Sequence, residues 1–246
     1  MPSDKAAERG EPSYVWRAGQ ERRLRMVVDA CPGLASARVL DNGCGIGTYI
    51  TRLEPVAGSV YGLEYELGRT QEAAQRTGSR RLVNAAGERL PFADQSFDLI
   101  LSNEVIEHVQ DDRAAVAEMV RVLKPRGRAV IFCPNRWYPV EQHGVYWRGR
   151  YHFGNIPLVN YLPDRYRNRL APHVRTYTAA QLRGLFEGLP VRVVRQTRIF
   201  GAYDNLIARF GPLAALLRWA LQRSEQTPLR ILGLSHLLVI ERVPYP

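Results

Sequence analysis

The sequence predicts a doubly wound α/β fold with a mostly parallel, seven-stranded sheet. Three observations support this. Short apolar runs alternate with helical segments along most of the chain, a glycine-rich turn directly follows the first run, and an aromatic segment interrupts the alternation after the fifth. Strands that alternate with helices form a parallel sheet covered by helices on both faces.

Each predicted strand is a short apolar run bounded by turn residues. The predicted strands cover 38–41, 59–64, 81–84, 97–102, 128–133, 191–194 and 237–240. The helices are indicated by apolar residues at helical spacing and by caps, among them the capping box from Thr178 to Gln181. The predicted helices cover 18–30, 47–53, 67–76, 111–123, 178–189 and 203–222, the last one kinked at Gly211-Pro212.

The chain is expected to hold one domain over residues 14–246, preceded by a disordered tail at residues 1–13. Residues 135–177 are rich in aromatic residues, proline and arginine and lack a clear period. This segment is too long for a simple connector, so we predict a substrate-side insertion or lid.

The net charge of +10 comes mostly from arginine and favours phosphate-bearing partners such as nucleic acid, nucleotide-linked substrates or anionic lipid. The arginines are spread along the chain, however, and an arginine-rich proteome explains them equally well. The charge alone therefore decides nothing.

Cysteine and histidine usage favours a reduced, cytoplasmic protein. Cys31, Cys44 and Cys133 form no C-x-x-C pair, and the histidines form no H-x-x-x-H pair, so we expect neither a disulfide framework nor a metal site. The N-terminus lacks the apolar region of a secretory signal. The longest apolar stretch, 206–221, is interrupted by Arg209, Pro212 and Arg218, so we expect it not to span a bilayer.

The glycine-rich turn is the most specific local feature. Residues 41–47 read DNGCGIG, with glycines in a G-x-G-x-G pattern rather than the G-x-G-x-x-G of dinucleotide folds. Asp41 would repel a pyrophosphate but would help to position a cationic amino-acid group. Glu64 ends the second strand, where it can accept hydrogen bonds from both hydroxyls of a ribose. One adenosine joined to one charged amino acid describes S-adenosylmethionine better than NAD.

Further motifs carry a family resemblance. Residues 88–108 read ERLPFADQSFDLILSNEVIEH, and residues 123–131 read LKPRGRAVI. Together with the glycine-rich turn and Glu64, these motifs resemble the class I S-adenosylmethionine-dependent methyltransferases, in particular the type 11 group related to quinone-biosynthesis methyltransferases. The resemblance implies a Rossmann-like fold, S-adenosyl-L-methionine as cofactor and methyl transfer as the activity.

The resemblance also implies cofactor-binding positions. The glycine turn and Asp41 would hold the methionine part of the cofactor, and residues 103–104 would line the methionine end of the pocket. Glu64 would bind the ribose. Tyr65 would lie against one face of the adenine, and segment 86–88 would meet the adenine edge. The implied residues are Asp41, Gly43, Cys44, Gly45, Gly47, Glu64, Tyr65, Ala86, Gly87, Glu88, Asn103 and Glu104. Ala86 departs from the family, which often has aspartate there, so adenine recognition would fall to backbone groups or to Glu88.

The catalytic candidates follow the fifth strand, at the sheet edge where ligands of open α/β sheets bind. His143 could act as a general base with Glu141 as its orienting carboxylate, although a lone loop histidine is more often structural or solvent-facing. His108 is a second candidate, although it could equally be structural. The aromatic and arginine side chains of the insertion suit an acceptor pocket, a nucleic-acid surface or a small hydrophobic cluster. The N-terminal segment 14–17 could cap the cofactor pocket or pack on the core.

The leading functional hypothesis is a methyltransferase that acts on a small-molecule or lipid-like acceptor at O, N or C. An RNA methyltransferase and a non-catalytic adenosyl-binding scaffold remain as alternatives. The helix from Leu206 could rest on an anionic membrane as a peripheral contact, although core packing explains its leucines more simply.

Overall fold

The structure of the chain is a computed structural model that describes residues 14–244. The disordered tail predicted for residues 1–13 lies outside the described residues. The helices are α1 (Ala18–Asp29), α2 (Thr48–Leu53), α3 (Leu67–Thr77), α4 (Asp112–Val122), α5 (Asp164–Leu170), α6 (Ala179–Gly184) and α7 (Asp204–Ser224). The strands are β1 (Arg38–Asn42), β2 (Ser59–Glu64), β3 (Leu82–Asn84), β4 (Phe97–Asn103), β5 (Leu123–Pro134), β6 (Val140–Glu141), β7 (Val145–Trp147), β8 (Arg150–His152), β9 (Ile156–Pro157), β10 (Val191–Ile199) and β11 (Ser235–Arg242).

Seven strands form one sheet in the order β10-β11-β5-β4-β1-β2-β3. Strands β1 to β5 pair in parallel, and β11 is antiparallel to both of its neighbours, β5 and β10. The mostly parallel, seven-stranded α/β architecture predicted from the sequence is confirmed.

Alternate residues of the central strands enter the two hydrophobic clusters that flank the sheet. Val39 of β1 belongs to one cluster, with side chains of α1 and α2, while its neighbour Leu40 belongs to the other, with side chains of α4 and α6. Successive side chains of a strand point to opposite faces. The continuous apolar runs in the sequence therefore reflect a sheet that is buried on both sides.

Most predicted element boundaries agree with the structure to within a few residues. The helix that begins with the capping box of Thr178 and Gln181 ends at Gly184 instead of residue 189. Gly188 adopts a left-handed φ of 81°, and Pro190 follows, so the chain cannot continue as a helix to the predicted end. The predicted kink in α7 is present, since Gly211 has a φ of 56° and a ψ of −132°.

Residues 135–177 contain two small two-stranded sheets, β6–β9 and β7–β8, a 3-10 turn at Val159–Tyr161, and α5. The two ends of the segment are joined at its base, where the Arg136 N–H donates to the Tyr177 carbonyl (2.9 Å) and the Tyr177 N–H to the Pro134 carbonyl (3.1 Å). The Asn135 side chain donates to two carbonyls of the segment that precedes β11. These bonds anchor the segment at the carboxyl end of β5.

Candidate active site

The glycine turn after β1 is shaped by close approaches that only glycine allows. A Cβ on Gly43 would lie 2.3 Å from Val105 Cγ2, and one on Gly47 would lie 2.6 Å from Thr77 Cγ2. Both glycines adopt left-handed φ angles, near 80°. Gly45 also has a positive φ, but a Cβ there would meet no atom within 4 Å. The turn is therefore packed against the protein on one side and open beside Gly45.

The N–H groups of this turn are already used inside the protein. Those of Gly43 and Cys44 donate to the Leu63 carbonyl, at 2.8 and 2.9 Å, and that of Gly47 donates to the Cys44 carbonyl at 2.9 Å. The Gly45 N–H donates to Glu64 Oε2 at 3.0 Å. A phosphate cradle needs free N–H groups, so these positions do not fit one. The Cys44 thiol lies in the core, which leaves only the backbone of Cys44 to meet a ligand.

Glu64 is held rigidly at the end of β2. One carboxylate oxygen accepts from Gly45, and the other accepts from the Glu66 N–H at 2.9 Å. Each carboxylate oxygen has lone pairs for more than one donor. Glu64 can therefore keep these backbone bonds and still accept hydrogen bonds from a ligand such as a ribose.

Asp41 lies two positions before Gly43, with its side chain fully buried and its Oδ2 atom without a hydrogen-bond partner. Burial, followed by the negative charge of Glu64, raises the pKa of Asp41 to about 7. A ligand that carries positive charge would stabilise the ionised form of this carboxyl. The adenosyl cofactor implied by the sequence carries an ammonium and a sulfonium group, and the unpartnered carboxyl beside an open glycine turn fits such a ligand.

The adenine-side candidates take up different positions. Tyr65 is exposed, with 54% of its surface accessible, while Gly87 is buried and Ala86 is half-buried. The Glu88 Oε1 atom accepts from the Gln110 N–H at 2.7 Å, just before α4. This carboxylate oxygen is engaged by the protein, so adenine recognition would rest more on the backbone of segment 86–88 than on Glu88.

Asn103 ends β4 and Glu104 follows it. Both contact an arginine that sequence reasoning missed. Arg23 of α1 donates to Asn103 Oδ1 at 2.6 Å and forms an ion pair with Glu104 Oε1 at 2.8 Å. Glu104 has a left-handed φ of 56°, uncommon outside glycine. The spacing of Gly19, Arg23 and the buried Val27 on one face of α1 is the sequence signal that could have identified Arg23.

Glu104 and Glu107 form a buried carboxyl pair. Burial alone would raise the pKa of Glu104, but the charge of Arg23, the hydrogen bonds of Glu107 and Ser235 and the charge of His143 together lower that pKa to about 2. For Glu107, burial and the neighbouring Glu104 charge both raise the pKa well above its usual range. Two adjacent carboxylates cannot both ionise at low cost. The pair therefore carries a single negative charge, on Glu104, which Arg23 balances.

A cavity of about 480 Å³ adjoins this end of the site. It is lined by residues of α1, the ends of β4 and β5, the insertion and the connection between β10 and α7. Asn103, Glu104, Glu141 and His143 line it, so the structure brings four of the predicted site residues to one space. The glycine turn and Glu64 do not line this cavity.

Glu141 and His143 are in direct contact. His143 Nδ1 lies 3.0 Å from Glu141 Oε1, and Glu141 Oε2 accepts from Arg167 Nη2 at 2.9 Å. Burial alone would raise the pKa of Glu141, but the hydrogen bonds from His143 and the charges of His143 and Arg167 lower it to about 2. An ionised Glu141 favours the His143 tautomer that carries its proton on Nδ1, which leaves Nε2 free to accept a proton.

His108 packs edge-on against His143, with ring centroids 5.5 Å apart. Burial, followed by the charge of His143, lowers the pKa of His108 to about 4. One atom each of Glu107, His108 and His143 lie within 4.8 Å of one another, close enough to hold a cation. No spacing rule reveals this trio, because its members come from the loop after β4 and from the insertion. The absence of a metal site stays a prediction.

The aromatic segment before α1 contacts the wall of the site. Trp16 packs edge-on against Tyr49 with ring centroids 5.3 Å apart, and Trp16 Nε1 donates to Glu21 at 2.9 Å. Tyr49 lines the cavity together with Arg17. Trp16 therefore packs on the core beside the cavity, while Arg17 borders the cavity itself.

Comparisons with known proteins identify the family of the chain. A family model described as a methyltransferase domain matches residues 40–131. An uncharacterized methyltransferase from Mycolicibacterium gilvum is 30% identical over 247 residues, covering 96% of this chain and 89% of that protein. The crystal structure of an S-adenosylmethionine-dependent methyltransferase from Mesorhizobium loti superposes with a TM-score of 0.65 at 20% identity, covering 92% of this chain and 98% of that one.

A demethylmenaquinone methyltransferase from Renibacterium salmoninarum is 33% identical over 132 residues. That match covers 53% of this chain and 56% of the relative, so the similarity spans little more than half of either protein.

We expect Asp41→Asn to stabilise the protein increasingly as pH rises. The pKa of Asp41 is about 7 in the folded protein and 3.8 for the ordinary group. Because the folded state holds the proton more tightly, the contribution of Asp41 to the free energy of unfolding falls as pH rises from about 4 to about 7. Asparagine removes this loss. The melting temperature of the variant should exceed that of the wild type by on the order of 5 °C near pH 8 and by little near pH 4. An advantage that does not change with pH would contradict the assignment.

Proposed function

The chain belongs to the type 11 group of class I S-adenosylmethionine-dependent methyltransferases, and we propose that it methylates a small-molecule or lipid-like acceptor bound in the 480 Å³ cavity. The observation that carries this proposal is that one cavity is lined both by Asn103 and Glu104, where we place the methionine end of the cofactor, and by the Glu141–His143 pair. Its volume lies within the range of small-ligand sites.

The chain's own residues account for cofactor binding. S-adenosyl-L-methionine is the cofactor, and when bound it supplies a methyl carbon made electrophilic by an attached sulfonium. Asp41 and the open side of the turn at Gly45 would receive the cationic amino-acid part. Glu64, fixed by two backbone N–H groups, would accept from the ribose hydroxyls.

His143 is suited to remove a proton from the acceptor. Its Nδ1 is oriented by Glu141, which Arg167 holds in turn, and its Nε2 is the remaining acceptor atom. Deprotonation of a hydroxyl raises the nucleophilicity of that oxygen, or of a carbon conjugated to it.

The lining of the cavity favours an aromatic or partly anionic acceptor. Arg17 lines it together with Tyr138 and Phe200, which can supply charge pairing and apolar contact, whereas Arg22 is already paired with Glu225. A relative carries the name demethylmenaquinone methyltransferase. A hydroxylated aromatic ring with an apolar tail is therefore the acceptor class we propose.

Glu64→Gln should weaken S-adenosylmethionine binding by about 10- to 100-fold, because one charge-assisted acceptor is lost. Titration calorimetry with S-adenosylmethionine and S-adenosylhomocysteine measures this directly. Glu72→Gln removes a half-exposed carboxylate from the outer side of α3 and should leave the dissociation constant unchanged. If the wild type bound neither adenosyl ligand, the cofactor assignment would fail.

His143→Gln should lower kcat by about 100-fold or more on a short-chain demethylmenaquinol or a simple phenol, with cofactor affinity unchanged. Glu141→Gln should reduce kcat less, because the imidazole remains but is poorly oriented. Tyr166→Phe, which alters a half-exposed residue of α5 outside the cavity, serves as a control with normal turnover.

Two outcomes would contradict the base assignment. The first is normal turnover by His143→Gln. The second is turnover abolished by EDTA and restored by a divalent ion, because Glu107, His108 and His143 would then be holding a cation. Cofactor binding without turnover on any acceptor would instead favour the non-catalytic scaffold.

A further inference from the structure

Helix α7 presents its apolar side chains to solvent. Ala214 is the only residue of this 21-residue helix that is fully buried. The exposed apolar residues are Leu206, Phe210, Leu213, Leu216, Leu217 and Trp219. A surface helix normally turns its apolar stripe towards the core, so core packing, the simpler explanation from the sequence, is wrong for these positions.

The exposed apolar surface continues into the 3-10 turn Pro228–Leu232, where Leu229, Ile231 and Leu232 are also exposed. We call this combined surface, from Leu206 to Leu232, the α7 surface. Leu229 and Leu232 line the same cavity as Leu206 and Leu217, which shows that the two segments are adjacent. Contiguous exposed apolar areas of this kind mark sites of interaction.

Basic residues accompany the α7 surface. Arg209, Arg218, Arg223 and Arg230 lie within it, and the sequence has no aspartate or glutamate between residues 205 and 224. The Arg209 guanidinium lies over the Phe210 ring at 5.2 Å, and that of Arg223 over the Trp219 ring at 5.5 Å. Arginine and tryptophan beside exposed leucines are typical of helices that lie in a membrane interface.

We propose that the α7 surface docks on an anionic lipid bilayer, with its leucines and Trp219 inserted at the headgroup level and its arginines paired with lipid phosphates. A second copy of the chain fits this surface less well. A symmetric contact would bring two sets of four arginines together, and residues 205–224 contain no aspartate or glutamate that could balance their charge. Among residues 14–244, no helix is long and apolar enough to cross a membrane. The helix would therefore lie along the surface.

Docking would also place an apolar cavity against the bilayer. A cavity of about 330 Å³ lies between α7, the 3-10 turn Pro228–Leu232 and the segments around Tyr138 and Phe200, and all of its lining residues except Arg218 and Ser224 are apolar or aromatic. Tyr138 and Phe200 line both this cavity and the 480 Å³ cavity. A lipid-like acceptor could pass from the bilayer along this path, a step that rests on the proposed function.

The test is sedimentation of the full chain with vesicles of phosphatidylcholine containing about one-third phosphatidylglycerol, at about 0.15 M salt. We expect binding to these vesicles and much weaker binding to pure phosphatidylcholine. Leu213→Gln combined with Leu216→Gln should reduce the affinity by about tenfold or more, since two apolar side chains no longer insert. Arg209→Gln combined with Arg223→Gln should also reduce it by about tenfold, through the lost attraction to anionic lipid.

The matched controls lie outside the α7 surface. Val56→Gln with Val193→Gln removes two exposed apolar side chains, and Arg80→Gln with Arg183→Gln removes two exposed charges. Both control pairs should bind vesicles like the wild type. Tryptophan fluorescence should shift to the blue on binding and be quenched by brominated lipid, and both effects should diminish in Trp219→Phe, which leaves three other tryptophans.

Three results would overturn the proposal. One is vesicle binding that is equal in the leucine variants and the controls. Another is concentration-dependent dimerisation abolished by those variants, without vesicle binding, which would assign the surface to a second copy. The last is salt-sensitive retention of RNA, lost in the arginine variants, without vesicle binding. These tests need neither cofactor nor acceptor, so their failure leaves the proposed function intact when S-adenosylhomocysteine binding is normal.

Discussion

The site depends on the convergence of carboxylates at the carboxyl ends of adjacent parallel strands. Asp41 is the next-to-last residue of β1, Glu64 is the last of β2, and Glu104 directly follows β4. Strand β1 lies between β4 and β2 in the sheet, and neighbouring strands lie about 4.8 Å apart. Glu64 is stabilised by backbone N–H groups, and Glu104 is balanced by Arg23. Asp41 has neither kind of partner, so it becomes ionised at little cost only when a cation lies beside it. Binding of the cofactor's cationic groups should therefore displace a proton from this carboxyl, which couples cofactor affinity to pH.

A buried charge pair inside the insertion orients the proposed base, His143. Arg167 of α5 and Glu141 of β6 are both about 1% exposed, and Arg167 also donates to the Val174 carbonyl at 2.5 Å. A buried ion pair often contributes little net stability compared with apolar residues of the same volume, while the loss of one partner is costly. This pair is therefore better explained by orientation than by stability. It holds Glu141 against His143. The orientation of the proposed base therefore depends on the folded structure of the insertion.

The parts of the fold that follow a single periodicity could be predicted from the sequence, and those that depend on distant partners could not. The central strands and the positions of Asp41 and Glu64 follow from apolar runs that end in a glycine turn or a carboxylate. The role of Arg23 does not follow in this way, because it requires Glu104, far along the chain, to lie beside α1. The short strands of the insertion, such as β6 and β9, have two residues each, too few to show alternation.

Helix α7 shows why periodicity alone cannot distinguish a core-facing helix from one that faces a partner. The spacing of its leucines indicates that one face is apolar, but not which face meets the rest of the protein. In the structure that contact is made at Ala214, and the leucines are left in water at a cost of about 25 cal/mol for each Å² of exposed apolar surface. Arginines accompany this surface, and no aspartate or glutamate lies between residues 205 and 224. The proposed bilayer is therefore the covering that satisfies both the apolar and the charged groups. A methyltransferase docked in this way would meet an apolar acceptor where such an acceptor is concentrated, and the shared cavity wall at Tyr138 and Phe200 would lie between the bilayer and the reacting groups.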